Sequence, residues 1–476
     1  MEILVVSPEA GRWTTPSPLA TAVSRMTEAF ANTGAKVLTC SPFYKSQLSD
    51  VQDYQCIYTG VERLMGKTFE VWKSPKDPLN TYIYNEEYFG RPEIYGPPHD
   101  VPYGDNHLRF AFLSSASLAY TIAINMNCTA ILAHEWGGAL VGALAHNTYR
   151  DEFGMIPFFF AIHNITYDFH VQSGEIEAIG LPREDYNMDG YEFWGKVSLL
   201  KAGICYSHKV LFPSPGYRDA MLNTNLAGGL SGFLNHNAEK LIGVQFGVSY
   251  QTWDFNQNKL PIREAKLNAR HDLEKQLETQ FNGNLVLYVH LDEESGNTSE
   301  TLATILSEIT KLRVFLIVGI SPEHPEWAYY QDVSNQYPST MRLQPLEGMG
   351  LKNIEILRNT LAGSDMLFAA NLNEPSCSII LKAMAAGTVP LTGRNVGIAS
   401  LLTDHNEEKA PYANAFLVDD ANAPHQILRR IKDTMSVYHD QSDMWNKVVH
   451  NAYDGFHYEW DKTVSKYLLI LGELSL

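Results

Sequence analysis

The sequence predicts an α/β protein with two doubly wound domains, and three observations carry this prediction. Short apolar runs rich in β-branched residues recur along the chain, stretches of helix length separate them, and the runs are continuous rather than alternating. Strands that are buried on both faces of a parallel sheet show this pattern, because helices cover both faces. We therefore expect parallel sheets built from βαβ units.

The first set of predicted strands lies in the N-terminal half of the chain. In order, these strands are Ile3–Val6, Lys36–Thr39, Ala130–Ala133, Phe158–Ile162 and Lys209–Phe212. Between the first two, Ser17 followed by Pro18 is typical of a helix start, with the serine as N-cap and proline at the first helical position. Gly34 is a stop signal. We expect a helix from Pro18 to about Asn32.

A second set of predicted strands begins after a division near residues 245–260. It contains Leu285–Val289, Val314–Val318, Met366–Ala369, Val389–Leu391 and Ala415–Val418. At about 150 residues per domain, 476 residues allow two or three domains. We expect two α/β domains with a cleft between them, ligands at the carboxyl ends of strands, and a final helix over roughly Lys462–Leu474.

The composition excludes several classes of partner. A net charge of −18 argues against nucleic acid and anionic membranes, since both require a basic face. No apolar run is long enough to span a membrane, and Ile3–Val6 is too short for a signal-peptide core. The five widely spaced cysteines lack metal-ligand spacing and are typical of reduced cytoplasmic thiols. We expect a cytoplasmic protein without a metal site or a cofactor.

An ordered series of short motifs runs through the whole chain. It contains YFGRP at 88–92, IYG at 94–96, RFAF at 109–112, HEW at 134–136, AIHNITY at 161–167, LLKAGI at 199–204, SPGY at 214–217, GGLSGFL at 228–234, EP at 374–375, GTVP at 387–390 and a glycine at 397. The series resembles the glycogen and starch synthases of glycosyltransferase family 5. One such motif is weak evidence, whereas eleven in the same order are specific.

The resemblance implies the GT-B fold: two Rossmann-like domains facing a cleft, with the C-terminal helix crossing back. We expect an acceptor-side domain over 1–245, a donor-side domain over 246–455 and a returning helix over 456–476. By the same resemblance, His163 contacts the transferred glucose, Glu374 lies at the catalytic centre, and transfer requires no metal ion.

The positions that bind the donor phosphates depart from the family. The family's loop lysine is Thr15 here, and both glycines of that loop are gone. Pro16 and Pro18 also remove two backbone N–H donors. The family's diphosphate-binding arginine and lysine are His290 and Ser295, and residues 292–294 add three carboxylates. At an effective dielectric constant of about 20, a unit-charge contact at 4 Å is worth roughly 4 kcal/mol, so losing several cations removes many decades of rate.

Other residues are candidates for the two halves of the site. Arg12, Lys382 and Arg394 are candidate replacement cations on the donor side, where Gly397 belongs to the family's glycine-rich turn. Trp13, His134 and Lys201 are candidates for sugar binding. Each has a plainer interpretation: a packing tryptophan for Trp13, a residue that packs beneath the cleft for His134, and solvated surface cations for the lysines and arginines.

The sequence leaves three functions open. The first is a pseudoenzyme or a strongly weakened glucosyltransferase that binds glucan or oligosaccharide and binds sugar nucleotide weakly or not at all. The second is an active retaining glucosyltransferase, from ADP-glucose to α-1,4-glucan, with a rebuilt donor site. The third is a structural or assembly component with an unidentified protein partner. The net charge around the donor site distinguishes the first two.

Overall fold

The computed structural model describes residues 1–12, 17–97, 101–291, 296–346, 351–370, 374–406, 410–455 and 457–474. The chain divides into two compact units. Unit 1 contains Met1–Pro213, Met221–Val244 and Trp460–Leu476, and unit 2 contains Ser214–Ala220 and Gln245–Glu459. Within the described residues, no helix is both long and apolar enough to cross a membrane.

Unit 1 is built on a nine-stranded sheet, counted over the described residues, in the order β12-β11-β7-β6-β1-β2-β5-β4-β3. Its strands are β1 (Glu2–Val6), β2 (Lys36–Pro42), β3 (Gln55–Val61), β4 (Thr68–Ser74), β5 (Asp77–Tyr84), β6 (Ala130–His134), β7 (Phe158–Ala161), β11 (Lys209–Phe212) and β12 (Leu241–Gly243). A small antiparallel sheet contains β8 (His170–Gln172), β9 (Glu192–Phe193) and β10 (Lys196–Ser198).

The helices of unit 1 cover this sheet. They are α1 (Pro18–Asn32), α2 (Glu86–Phe89), α3 (Asn106–Ala123), α4 (Glu135–Gly138), α5 (Leu140–His146), α6 (Arg150–Phe153), α7 (Leu199–Tyr206), α8 (Pro215–Asn223), whose first turns belong to unit 2, and α9 (Ser231–His236). Helix α1 begins as predicted, because the Ser17 hydroxyl accepts a hydrogen bond from the Ala20 N–H at 2.9 Å.

The predicted strands of unit 1 are confirmed, and they pair in parallel. The antiparallel strands β3, β4 and β5 were not predicted. Strand β3, at the edge of the sheet, has no buried residue and β4 is only partly buried, so both lack the continuous apolar run of a central strand. Strand β5 is largely buried and pairs with β2 in parallel, but polar residues interrupt its sequence. An interpretation that looked only for continuous runs could not find them.

Unit 2 contains a six-stranded, entirely parallel sheet over its described residues, in the order β15-β14-β13-β16-β17-β18. Its strands are β13 (Leu285–Leu291), β14 (Val314–Ile320), β15 (Met341–Pro345), β16 (Met366–Phe368), β17 (Val389–Gly393) and β18 (Phe416–Val418). Its helices are α10 (Tyr250–Trp253), α11 (Ile262–Gln276), α12 (Gly296–Ile309), α13 (Trp327–Gln336), α14 (Leu351–Gly363), α15 (Ser378–Ala385), α16 (Pro424–Asp440) and α17 (Ser442–Tyr453).

The last helix, α18 (Trp460–Leu474), belongs to unit 1 although it follows unit 2 in the chain. It packs on α1, where the rings of Phe30 and Tyr467 meet edge to face with centroids 6.3 Å apart. Both rings are buried. This packing confirms the predicted return of the C-terminal helix, and the two sheets confirm the predicted α/β class.

Candidate functional site

In unit 1, two neighbouring parallel strands end at a pair of histidines. β6 ends at His134, which lies beside Ala161 at the end of β7, and His163 follows two residues later. The Nδ1 atom of His134 is 2.9 Å from the Nε2 atom of His163. The carboxyl ends of parallel strands are where ligands bind in such sheets. The structure therefore brings two predicted site residues into direct contact.

The tautomers of this pair follow from the surroundings of His134. The Nε2 atom of His134 is buried and has no hydrogen-bond partner among the described residues. A buried N–H without an acceptor costs more than an acceptor atom without a donor. The cheaper arrangement protonates His134 on Nδ1, which then donates to Nε2 of His163. His163 is left with its own proton on Nδ1, as a hydrogen-bond donor.

Glu135 fixes the loop that carries His163. One of its carboxylate oxygens, Oε1, accepts hydrogen bonds from the backbone N–H of His163 at 2.6 Å and from that of Asn164 at 2.9 Å. Glu135 has a φ of 57°, in the left-handed region that glycine favours. Such strain is kept only where the surrounding structure imposes it. The sequence placed Glu135 in the HEW motif at 134–136, but this role was not predicted.

Burial keeps all three groups uncharged near neutral pH. It lowers the pKa of His163 to about 3 and holds the pKa of His134 well below its ordinary value. Burial also raises the pKa of Glu135 to about 8. The result is a rigid, neutral set of donors and acceptors, which suits hydroxyl groups better than phosphates. His134 is wholly buried and supports His163 by direct contact, while its own contact with sugar stays a prediction.

Lys201, a predicted sugar-binding residue, is occupied by the protein itself. Its ammonium group donates to the carbonyl oxygens of Met188 at 2.8 Å and Glu192 at 2.6 Å, and it lies 4.3 Å from the centroid of the Phe233 ring. The side chain is buried, and burial lowers its pKa. The structure thus gives Lys201 a role in holding two loops, while its contact with sugar stays a prediction.

The first loop of unit 1 contains three predicted residues. Trp13 and Thr15 lie outside the described residues. Arg12 is exposed, and its guanidinium donates to the carbonyl oxygen of Lys76 at 3.0 Å, in the turn between β4 and β5. This hydrogen bond occupies one N–H donor of Arg12, which is a predicted replacement cation. Its role in binding a donor stays a prediction.

In unit 2, His290 stands near the carboxyl end of β13, where the family has arginine. Its Nδ1 atom is 2.9 Å from the hydroxyl oxygen of Tyr288, which lies two residues earlier on the same face of the strand. Imidazole cannot make the bidentate contact that guanidinium makes with a diphosphate. Ser295, at the family's lysine position, lies outside the described residues.

Glu374 lies at the start of α15. Its Oε1 atom accepts a hydrogen bond from the Ser378 N–H at 2.5 Å, and Cys377 before that residue is in the left-handed region with a φ of 51°. A carboxylate in this position is stabilised by the partial positive charge of the helix start. The contact fixes the side chain, which is what either a structural or a catalytic carboxylate requires.

Arg394 is bound by carboxylates of unit 2. Its Nη2 atom lies 2.9 Å from Asp404, and its Nε atom lies 3.6 Å from Asp419. Asp404 is buried and also binds Arg430. The predicted replacement cation is therefore largely neutralised within its own unit. Lys382, another candidate, lies with its ammonium group 5.2 Å from the centroid of the Trp253 ring.

Gly397 is explained by close packing. A Cβ atom there would lie 2.7 Å from the hydroxyl oxygen of Ser214 and 3.2 Å from the sulfur of Cys377. The Gly397 carbonyl accepts a hydrogen bond from the Gly216 N–H at 3.1 Å. The glycine permits the 214–220 segment to approach the 397 turn, and its predicted contact with a donor stays a prediction. Over the described residues, no group of three or more potential ligands is arranged to hold a metal ion.

Comparison with known proteins agrees with these features. Residues 2–236 match the family described as starch synthase catalytic domain. The glycogen synthase of Desulfatibacillum aliphaticivorans is 27% identical over 431 residues, covering 85% of each chain. That of Pseudothermotoga lettingae is 24% identical over 499 residues, covering 99% of each chain.

A solved structure shows the same fold. The catalytic domain of starch synthase IV from Arabidopsis thaliana, bound to ADP and acarbose, superimposes with a TM-score of 0.83 at 18% identity, and the match covers 100% of this chain and 99% of that one. The predicted GT-B fold and the predicted resemblance are thereby confirmed.

Proposed function

We propose that this chain, a divergent relative of the glycogen and starch synthases, binds α-glucan or oligosaccharide through unit 1 and binds sugar nucleotides weakly. It then acts as a glucan-binding protein or a strongly weakened glucosyltransferase. The observation that carries the proposal is the hydrogen-bonded network of buried His134 and Glu135 with half-buried His163. The directions of their pKa shifts favour the uncharged forms. Sugar recognition requires positioned hydrogen-bonding groups and no net charge.

The charges of unit 2 support weak nucleotide binding. A diphosphate is held by cations and backbone N–H groups that carry no anionic partner of their own. Here His290 replaces the family's arginine, and Arg394 already contacts two carboxylates. The Arabidopsis catalytic domain was solved with ADP and acarbose, so a fold of this kind accommodates both. The charges in this chain favour the uncharged ligand.

Calorimetric titration tests the proposal. We expect maltoheptaose to bind, and ADP and ADP-glucose to bind with Kd values above about 1 mM, equivalent to less than about 4 kcal/mol of binding free energy. His163→Ala should abolish maltoheptaose binding, because the loop donor is lost. The matched control is His425→Ala, since His425 lies in the first turn of helix α16 of unit 2 and is not a candidate site residue. Micromolar ADP binding by the parent chain would overturn the proposal.

Restoring the family's cations sharpens the same test. The triple variant Thr15→Lys, His290→Arg and Ser295→Lys should increase ADP affinity at least tenfold, about 1.4 kcal/mol, since guanidinium supplies a bidentate contact. His290→Lys in place of the arginine is the control for charge without bidentate geometry. An unchanged ADP affinity in the triple variant would mean that these positions do not form a donor site.

An active retaining glucosyltransferase is the second candidate, and the placement of Glu374 favours it. The Ser378 N–H holds this carboxylate, which the resemblance assigns to the catalytic centre, and a fixed carboxylate is consistent with that assignment. Turnover of ADP-glucose onto glycogen that is lost in Glu374→Gln would establish this function. If neither glucan nor nucleotide binds, the structural or assembly role becomes the better interpretation.

A further inference from the structure

An exposed tryptophan occupies the tip of the small sheet of unit 1. Trp194 and Gly195 join β9 to β10, and their φ angles are 52° and 78°. Positive φ at both central residues is the pattern of a type I′ hairpin turn, for which Asn-Gly is the usual sequence. A bulky residue at positive φ is strained. Nothing in the turn itself requires tryptophan there.

The indole of Trp194 is 83% exposed. Its ring meets that of Phe193 at a centroid distance of 6.3 Å, and Phe193 in turn stacks on His170 at 5.1 Å. The rings of His170 and Phe193 thus support the indole of Trp194, which is the most exposed of the three. A large aromatic group that is both strained and exposed is costly to keep unless its surface is used.

Several contacts hold this hairpin rigid. The Glu192 carboxylate accepts a hydrogen bond from the Gly195 N–H at 2.6 Å and closes the turn. Lys201 binds the Glu192 carbonyl from below and lies over the ring of Phe233, in α9. The cation predicted to bind sugar therefore ties the hairpin to the glycine-containing 228–233 segment.

The backbone of the 228–233 segment lies beside the indole of Trp194. A Cβ atom at Gly229 would lie 2.8 Å from the Phe193 ring and 3.2 Å from Nε1 of Trp194, so only glycine permits this approach. Among the described residues, no atom lies within 4 Å of a Cβ atom placed at Gly228 or Gly232. An exposed aromatic face therefore stands beside open backbone, which leaves room for a flat ligand.

The hairpin is also joined to the loop that carries His163. Asp168, five residues after His163, accepts hydrogen bonds from the Ser198 hydroxyl at 2.6 Å and the Leu200 N–H at 3.1 Å. Ser198 is the last residue of β10. The tryptophan hairpin and the proposed sugar-binding loop are thus parts of one hydrogen-bonded assembly within unit 1.

We propose that Trp194 is an aromatic platform on which a sugar ring of a linear α-glucan stacks, beside the backbone of Gly228 and Gly229. This inference rests on the proposed glucan binding and names a residue that extends its site. Sugar rings present apolar C–H faces that pack on aromatic rings, while their hydroxyls bond to polar groups at the rim. A neutral chain also suits the acidic protein, whose net charge is −18.

The test compares maltoheptaose affinity in the parent, Trp194→Ala and Trp194→Phe. We expect about a tenfold loss of affinity in the alanine variant and less than a threefold loss in the phenylalanine variant, because a ring is retained. Met155→Ala is the matched control, since Met155 is 95% exposed in the same unit and lies outside the hairpin and the 228–233 segment. The maltoheptaose affinity of the Met155→Ala variant should equal that of the parent.

A direct readout uses 5-fluorotryptophan and fluorine NMR. The chain has eight tryptophans, and the resonance absent from Trp194→Phe identifies Trp194. We expect maltoheptaose to shift that resonance. Parent binding with an unchanged Trp194→Ala affinity would overturn the platform and leave the proposed function standing, whereas no parent binding would overturn both. A shift that depends on protein concentration and not on sugar would instead assign Trp194 to a protein contact.

Discussion

The carboxyl ends of the two sheets carry opposite kinds of polar group. In unit 1, His134, Glu135 and His163 are uncharged near neutral pH and bond to one another and to the backbone. In unit 2, Arg394 is charged and is bound by carboxylates of the same unit. The groups of unit 1 can therefore form hydrogen bonds without carrying charge. In unit 2, the positive charge of Arg394 is already balanced by carboxylates.

This difference separates the chemistry of a sugar from that of a diphosphate. A sugar hydroxyl exchanges one hydrogen bond to water for one to the protein, so geometry decides its affinity. A diphosphate must lose much of its hydration, and unopposed cations have to compensate for that loss. A chain can lose the second capacity by a few substitutions while the buried network that supports the first remains intact.

The largest expected effect concerns the network of unit 1. Glu135→Leu removes the acceptor of two backbone N–H groups, at about 1–3 kcal/mol for each buried donor left unpaired. Glu135→Gln retains an acceptor oxygen at that position and is the matched control. We expect the leucine variant to unfold at a clearly lower urea concentration than the glutamine variant, followed by circular dichroism. Equal midpoints would show that the carboxylate does not hold the His163 loop.

The next effect is the pH dependence of stability. Burial raises the folded-state pKa of Glu135 to about 8, above its unfolded value of about 4.3. The folded state therefore binds more protons between these values, and the free energy of unfolding falls as pH rises from about 4.3 to 8. The penalty is absent below this window and complete above it. We expect thermal stability to fall more between pH 5 and pH 8.5 in the parent than in Glu135→Gln.

Other groups around Glu135 titrate as well. Burial raises the pKa of Glu9, so it acts in the same direction. Burial lowers the pKa of His134 and His163, and this effect reduces stability as pH falls below about 6.5. The parent and Glu135→Gln both contain these groups, so their contributions cancel when the two curves of thermal stability against pH are compared. Parallel curves would mean that Glu135 is ionised in the folded protein.

The sequence predicted most of the parallel strands, because burial on both faces leaves a continuous apolar signal. It predicted the start of α1 because Ser17 and Pro18 encode a helix cap locally. It did not predict β3, which has no buried residue, or β4 and β5, whose sequences mix polar and apolar residues. It also missed β12 and β15, which lie at sheet edges and are only partly buried. A local sequence pattern therefore encodes a helix cap and a strand that is buried on both faces, but not a strand whose sequence mixes polar and apolar residues.

The site was predictable only as a set of positions. Motif order placed His163 and His134 in the candidate site, but their contact depends on strand register, which motifs do not state. Lys201 was assigned to sugar binding from its motif, and no local signal shows that its ammonium group donates to two carbonyl oxygens. Trp194 was missed, although a Trp-Gly pair between two short polar–apolar segments is an available signal for a hairpin tip.

The smallest expected effect concerns the balanced charge of unit 2. Asp419 is 89% exposed and lies 3.6 Å from the Nε atom of Arg394, whereas Asp404 is buried and shared with Arg430. Removing the exposed carboxylate leaves the buried pairing in place and gives Arg394 a small excess of positive charge. Exposed ion pairs are worth about 0–1 kcal/mol. We therefore expect Asp419→Asn to raise ADP affinity by no more than about fivefold.

Calorimetry at two salt concentrations checks this effect. The gain should be largest at low ionic strength and should nearly vanish at 0.5 M salt, because salt screens exposed charges within a few ångströms. Asp443→Asn, an exposed carboxylate at the start of α17, is the control for a general change in net charge. If both variants raise ADP affinity equally, the gain reflects net charge alone. If Asp419→Asn raises it and Arg394→Gln cancels the gain, Arg394 is the cation whose balance limits nucleotide binding, and the contrast between the two units has an electrostatic cause.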